Sequence, residues 1–215
     1  VNFPLQDSSD LKGISSFLDL ADNLGIIHRN IAEGPIKSVD INCYGALDQI
    51  KPISLSFLRS LLQNRVPDRV NFINAETIAK ELGIDLSINY STSDSNYSNL
   101  ISARVVTKND IIFEGSVFND DLPRLVNLMG YRMEVNLKGT LLFIQNDDVP
   151  GVVGKVGTIL GANKINIGAY LLSQHSREKL AFAVIRLDSP IEDSLINKLQ
   201  NVDEVKFVNQ IQITS

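Results

Sequence analysis

The side chains best placed to do chemistry gather in NDDVPGVVGKVGTILGANKINIGAY, Asn146 to Tyr170, where asparagines, aspartates, a proline and five glycines precede an apolar run. A loop that cradles phosphates would read GxxxxGK followed by Ser or Thr, or GxGxxG on a strand-to-helix turn. Neither spacing is present. Asn146, Asp147 and Asp148 instead fall where an apolar strand gives way to a helix, and a helix start presents backbone N–H groups with no partner of their own. There a carboxylate could rest on the N–H groups and an ammonium on Asp148, a pairing that suits an amino acid. The competing reading is that Asp147 or Asp148 caps the helix. Gly154, Gly157 and Gly161 recur with Gly151 by threes and fours, which sets them near one helical face and predicts that this helix lies close to a neighbouring backbone.

Arg186 interrupts the apolar strand LAFAVIRL on the face of Phe182 and Val184, where a charge needs a partner. His28 sits in an amphipathic helix and His175 in a turn, with no Cys or second His near either, so the expectation is surface histidines and no metal site. Cys43 alternates inward on a strand with no basic neighbour and reads as a buried structural thiol; a single cysteine also leaves no internal disulfide. With 44% hydrophobic and 21% charged residues over 215 positions, one or two ordinary cores are expected. Nucleic-acid binding needs clustered cations, so a net charge of -5 points away from it and toward a small solute. No apolar run approaches bilayer length and VNFPLQDSSD has no signal-peptide pattern, so no membrane partner is expected. The expected compartment is the cytoplasm, or an organelle lumen such as the plastid if a transit peptide has been removed.

The elements that must position these residues fall into two groups. Helical spacing predicts helices over Asp7–Glu33, Ile53–Leu62 and Ala75–Leu82, and alternation predicts strands at Val39–Cys43, Ile84–Tyr90, Leu100–Thr107, Ile111–Phe118, Arg124–Met129 and Tyr131–Val135. Ser91–Asn99 reads as a loop, Asn119–Pro123 as a turn and Asn136–Gly139 as a linker. Beyond it come the strand Thr140–Gln145, a helix over Gly151–Asn163 with Val152, Val153, Val156, Ile159 and Leu160 on one stripe, and strands Ile165–Leu172 and Leu180–Leu187 around a Ser173–Lys179 turn. A helix through Ile191–Leu199 and a strand Val205–Ile213 complete a βαββαβ order, the split βαβ of ferredoxin-like folds.

DDVPGVVGKVGTILGANKINIGAY resembles the opening of an ACT domain, a βαββαβ module that binds small ligands, commonly amino acids, at a subunit interface. PGVVGKVGTILG followed by INIGAY is similar to the C-terminal domain of the D-3-phosphoglycerate dehydrogenases, NAD-dependent enzymes that open serine synthesis. VNFPLQ, LADNLGIIHRNIAEGPIKSVDINCYG, RVNFINAETIAKELGI, SNYSNLISARV and GSVFNDDLPRLVNLMGYRMEV resemble the intervening, or allosteric substrate-binding, domain of their long form. The resemblance implies an α+β chain of two domains, 1–137 and 138–215, that regulates and oligomerises such an enzyme. In the family, the NAD-binding and substrate-binding domains precede this region. This stretch has no GxGxxG and no His with a carboxylate partner, so the expectation is a chain with no cofactor and no catalytic residue of its own, the NAD belonging to the catalytic domains.

The resemblance further implies an L-serine site shared between subunits, on Asn146, Asp148 and Asn166, with Val149, Gly151, Val152 and Ile167 around them. Asp148 would take the ammonium, the two asparagines would give amide hydrogen bonds, and N–H groups near Gly151 and Val152 would face the carboxylate. Asn146 departs from the aromatic or histidine side chain often found there. The family's anion site, for a phosphate or carboxylate between the two domains, would fall to Arg124, Arg132, Lys138 and Arg186, although Asn136 stands where some relatives carry a basic residue. The alternative to a serine sensor is an oligomerisation module with no serine response. Serine dehydratases with a related first domain need an iron–sulfur cluster on several cysteines, which Cys43 alone cannot hold.

Overall fold

The computed structural model describes residues 8–45, 47, 49–92, 96–118, 121–175 and 178–213, and side chains among them from residue 14 onward. The opening VNFPLQ and parts of the segments 91–99, 119–123 and 173–179 lie outside the described residues. The chain forms two compact units, Val1–Met129 and Gly130–Ser215.

The first unit contains α1 (Ser8–Ile31), β1 (Ser38–Gly45), α2 (Ile50–Leu62), α3 (Ala75–Glu81), β2 (Asp85–Ser91), β3 (Asn99–Val106), β4 (Asp110–Val117) and β5 (Pro123–Leu128). Its strands lie in the order β2-β1-β3-β4-β5, with β1 parallel to β2 and every other neighbour antiparallel. In β1 the alternation read from the sequence buries Val39, Ile41 and Cys43 and leaves Asp40 and Asn42 half-buried. Burial in apolar surroundings pushes the Cys43 thiol up to about 12, which keeps it inert.

Two features tie α1 to its neighbours. A Cβ on Gly25 would come within 2.5 Å of the Phe57 carbonyl oxygen and 3.0 Å of Ser60 Cβ, so only glycine lets α1 and α2 approach this closely. Beside that contact, Asp22 accepts hydrogen bonds from both Arg59 and Ser60, and Arg65 donates to the carbonyls of Arg29, Ala32 and Gly34, which closes the C-terminal end of α1.

His28 is a correction to the surface position expected of it: the side chain is fully buried. Its ring lies 4.3 Å from that of Phe113 and 5.3 Å from that of Phe57, and Nδ1 donates to the Leu24 carbonyl at 2.8 Å. The residue shares the stripe of Leu20, Leu24 and Ile27, and the helical period carries it into the core whatever its polarity. Burial lowers its pKa to about 4, outweighing the opposing pull of the Leu24 carbonyl.

The second unit contains β6 (Tyr131–Asn136), β7 (Gly139–Asp147), α4 (Val152–Ala162), β8 (Ile167–Gln174), β9 (Leu180–Leu187), α5 (Asp193–Gln200) and β10 (Val205–Ile213). The division into compact units falls ahead of β6. Tyr131 of β6 packs within this unit: its ring lies 5.4 Å from that of Phe182 and its hydroxyl accepts from Gln145 at 3.2 Å. The four-stranded sheet runs β10-β7-β9-β8 with all neighbours antiparallel, which completes a ferredoxin-like βαββαβ fold. The central strands read as nearly continuous apolar runs because both faces are covered. Leu142, Ile144, Ala183 and Ile185 meet Val152, Val156 and Leu160 of α4 and Leu195 and Leu199 of α5.

Val153 does not join the buried stripe of α4; it is 46% exposed. Among the described residues, the close approach expected of Gly154, Gly157 and Gly161 is also absent, since a Cβ at any of the three would meet nothing within 4 Å. These glycines face outward, on the side of α4 opposite its buried residues.

The buried histidine fixes a pH dependence. An unfolded chain binds a proton on His28 near 6.5, whereas the folded chain refuses it down to about 4. The stability that a neutral His28 contributes is therefore whole above about pH 6.5 and drains away as pH falls toward 4, by about 3 kcal/mol. Denaturant unfolding across pH 4–7 should show this slope flattened in a His28→Leu variant. Gly25→Ala should cost about 2 kcal/mol in the same assay, because the obstructing atom is backbone.

Candidate functional site

The polar cluster picked out from the sequence lies where β7 ends and α4 begins. Gly151 closes the connection at φ +99°, a conformation that favours glycine, and serves as the N-cap of α4 without any side-chain cap. Neither aspartate caps the helix. Asp147 pairs with Lys206 at 2.7 Å, and the Asp148 carboxylate accepts from Gln174 Nε2 at 2.9 Å. Among the described residues no side chain caps the first turn of α4, whose N–H groups start three residues after the exposed Asp148 carboxylate. The Asp148 amide donates to the Lys179 carbonyl at 3.0 Å, so its backbone and side chain are both tied to the β8–β9 hairpin. Val149 projects 47% exposed at the rim, and Val152 turns into the core.

Asn146 lies inside the end of β7. It is 4% exposed, and its Nδ2 donates to the Asp147 carbonyl at 2.7 Å, which bridges the last residues of β7. Asn166 and Ile167 are not brought to this cluster at all. Thr140 and Ile167 both register with Leu187, whereas Asp147 registers with Leu180. Asn166 therefore sits at the opposite end of the sheet from Asp148, roughly 20 Å away for a strand rising about 3.3 Å per residue. There its Nδ2 donates to Asp188 Oδ2 at 2.6 Å.

The four cations assigned to an anion site do not share one cavity. Arg124 belongs to the first unit, where its guanidinium stacks 4.5 Å over the Phe118 ring and lines a concavity of about 440 Å³ with Tyr97, Ser98 and Ser116. In the second unit, Arg186 lines a concavity of about 310 Å³ with Glu134, Asn136 and Tyr170, while Arg132 and Lys138 are exposed elsewhere. Arg186 has no acid within ion-pair distance among the described residues; its exposed guanidinium donates to the Gly168 carbonyl at 3.4 Å. The partner that an inward charge would need is replaced by solvent, because the side chain reaches the rim.

Gln174 and Asp188 were not singled out from the sequence. The β8–β9 register could have found Asp188: Asn166 stands just before β8 and Asp188 just after β9, so an antiparallel hairpin must set them side by side. Among the described residues no group of three or more His, Cys, Asp or Glu could hold a metal ion, and no helix is long and apolar enough to cross a membrane.

Residues 13–129 match the family model described as the D-3-phosphoglycerate dehydrogenase intervening domain. Over 216 residues the chain is 28% identical to the D-3-phosphoglycerate dehydrogenase of Bacillus subtilis, covering 99% of this chain and 41% of that protein. It is 25% identical over 217 residues to that of a Synechocystis species, covering 99% and 39%. The chain thus spans about two fifths of the length of these relatives. Among solved structures, the ACT domain from GTP pyrophosphokinase of Chlorobium tepidum aligns at a TM-score of 0.29 and 17% identity, covering 34% of this chain and 97% of that one. So slight a likeness carries no weight beside the strand order itself.

The glycines separate local strain from contact. Gly151→Ala should destabilise the second unit by about 1 kcal/mol through its left-handed backbone alone. Gly154→Ala, in open helix, should stabilise an isolated chain by up to about 1 kcal/mol. Chemical denaturation measures both, and equilibrium sedimentation of Gly154→Ala would expose any association that the outward glycines serve.

Proposed function

The chain belongs to the D-3-phosphoglycerate dehydrogenase intervening-domain family, and we propose that it is a regulatory, L-serine-sensing and oligomerising region of such an enzyme. The NAD-dependent oxidation would then lie in parts of the protein that its relatives possess beyond the two fifths matched here.

One observation carries the reading. Asp148 and the uncapped start of α4 offer an acceptor for an ammonium beside donors for a carboxylate, the two ends of an amino acid. Asn166, the third polar group of the expected site, stands at the far end of the same sheet. One chain cannot bring them together; a second copy can. Among the described residues, strand β8 is an outer strand of its sheet, hydrogen-bonded to β9 on its inner side, with Leu172 44% exposed. Antiparallel pairing of β8 with its counterpart about a two-fold through the middle of the strand would bring its start, at Asn166 and Ile167, toward its end, at Gln174 of the partner subunit. Gln174 holds Asp148, so Asn166 would then face the Asp148 cluster across the interface, giving two sites per pair.

The concavity at Arg186 supports a second ligand class, a phosphate or carboxylate, in the same unit. The inward, self-bonded amide of Asn146 favours the competing reading of an oligomerisation module whose loop is silent.

Calorimetric titration with L-serine tests the two, with D-serine and glycine as controls. Saturable, stereoselective binding that Asp148→Ala weakens at least tenfold is expected, with dimer formation strengthened by serine in sedimentation. Unchanged sedimentation and no heat at millimolar serine would leave the oligomerisation module.

A further inference from the structure

The residues proposed to touch the effector are each held by a side chain on the same hairpin, and the two holds have the same form. Gln174, last residue of β8, donates Nε2 to Asp148 Oδ2 at 2.9 Å; Asp188, just past β9, accepts from Asn166 Nδ2 at 2.6 Å. A second bond joins each pair of segments through the backbone, since the Asp148 amide donates to the Lys179 carbonyl at 3.0 Å and the Asp188 amide to the Asn166 carbonyl at 3.4 Å. All four side chains are exposed, so these bonds do not serve to satisfy groups lost from water in the core.

We propose that Gln174 and Asp188 are positioning residues of the effector site, which set the direction and polarity that Asp148 and Asn166 present to a ligand. This rests on the effector reading of the second unit. Asp188 is an acceptor only when ionised, so Asn166 must turn its NH₂ toward it and its Oδ1 outward. The outward group is then an acceptor, as is the remaining oxygen of Asp148. A ligand reached by both must bring a donor-rich end, a primary ammonium, and its carboxylate must go to the N–H groups at the start of α4. Gln174 acts on the other half. Its amide takes one lone pair of Asp148 and fixes the carboxylate against the edge strand, leaving the other oxygen for the ammonium. In the two-fold pairing described above, Gln174 of the partner subunit arrives near the start of β8, and the sequence Gln174, Asp148, ligand, Asn166, Asp188 becomes one continuous hydrogen-bonded row across the interface.

The experiment combines a signature that needs no ligand with an affinity. In ¹H–¹⁵N spectra of the whole chain, the Asn166 side-chain NH₂, assigned by its loss in Asn166→Ala, should show one proton displaced downfield and slow to exchange. Asp188→Ala should remove that displacement while the unfolding midpoint stays unchanged, because the pair is exposed. L-serine titrated against Gln174→Leu and Asp188→Ala should bind on the order of tenfold more weakly than to the unaltered chain. Amide protons unmoved by Asp188→Ala, or serine affinity unmoved in both variants, overturns the proposal. Absence of serine binding to the unaltered chain overturns the serine reading itself and leaves the amide spectrum to decide how Asn166 is held.

Discussion

The antiparallel register that runs from β7 through β9 to β8 governs what the second unit can present. Side chains along a strand alternate between faces, so a slip of one residue would carry every side chain of a strand to the opposite face and out of the packing it fits. β7 and β9 are covered on both faces, by α4 and α5 on one and by Tyr131 on the other, and no slip is tolerated. That lock sets Asp147 against Leu180 and Thr140 against Leu187, and thereby parts Asp148 from Asn166 by nearly the whole length of the sheet. It also places Gln174 beside the first and Asp188 beside the second. The placement of these two polar pairs is thus a by-product of core packing.

The first unit is held by a different device, the close contact of two helices. Gly25 lets α1 and α2 approach until backbone nearly touches backbone, and the charged or polar groups displaced by that approach are gathered on Asp22 and on the carbonyls at the end of α1. The neutral His28 ring fills the space between Phe57 and Phe113. A histidine there is a compromise: it packs as an aromatic and satisfies Nδ1 on its own helix, yet leaves Nε2 without a partner among the described residues.

Element order and type were legible because the local signals agree with one another. Alternation in SVDINCY, continuous apolarity in TLLFI and LAFAVI, and helical spacing from Val152 to Leu160 each match the burial found. Side-chain partners were less legible. Periodicity assigns a residue to a face but not the face to a neighbour, so His28 read as an outer residue of an amphipathic helix, and the glycines of α4 read as a contact that the chain itself does not make. Asn146 and Asp148 looked alike two residues apart, yet the first lies inside the strand end and the second outside it, a difference decided by where β7 stops. Arg186 lies on the strand face expected, but its length carries the charge to the rim and removes the need for an acid.

On the proposed reading, the split between Asp148 and Asn166 makes sensing and association one process. A lone copy offers a ligand one half of the site at each end of its sheet; only a pair offers both halves together. A ligand that binds the pair and not the separate copies must strengthen pairing by as much as pairing strengthens its own binding. At a hundredfold excess over its dissociation constant, each such site adds about 2.7 kcal/mol, and a two-fold pair has two of them. That coupling is enough to convert a weak edge contact through β8 into a stable one, with no change of fold in either unit. Regulation then requires only that the catalytic arrangement differ between paired and unpaired β8 edges, and its sign is set by which of the two is the more active.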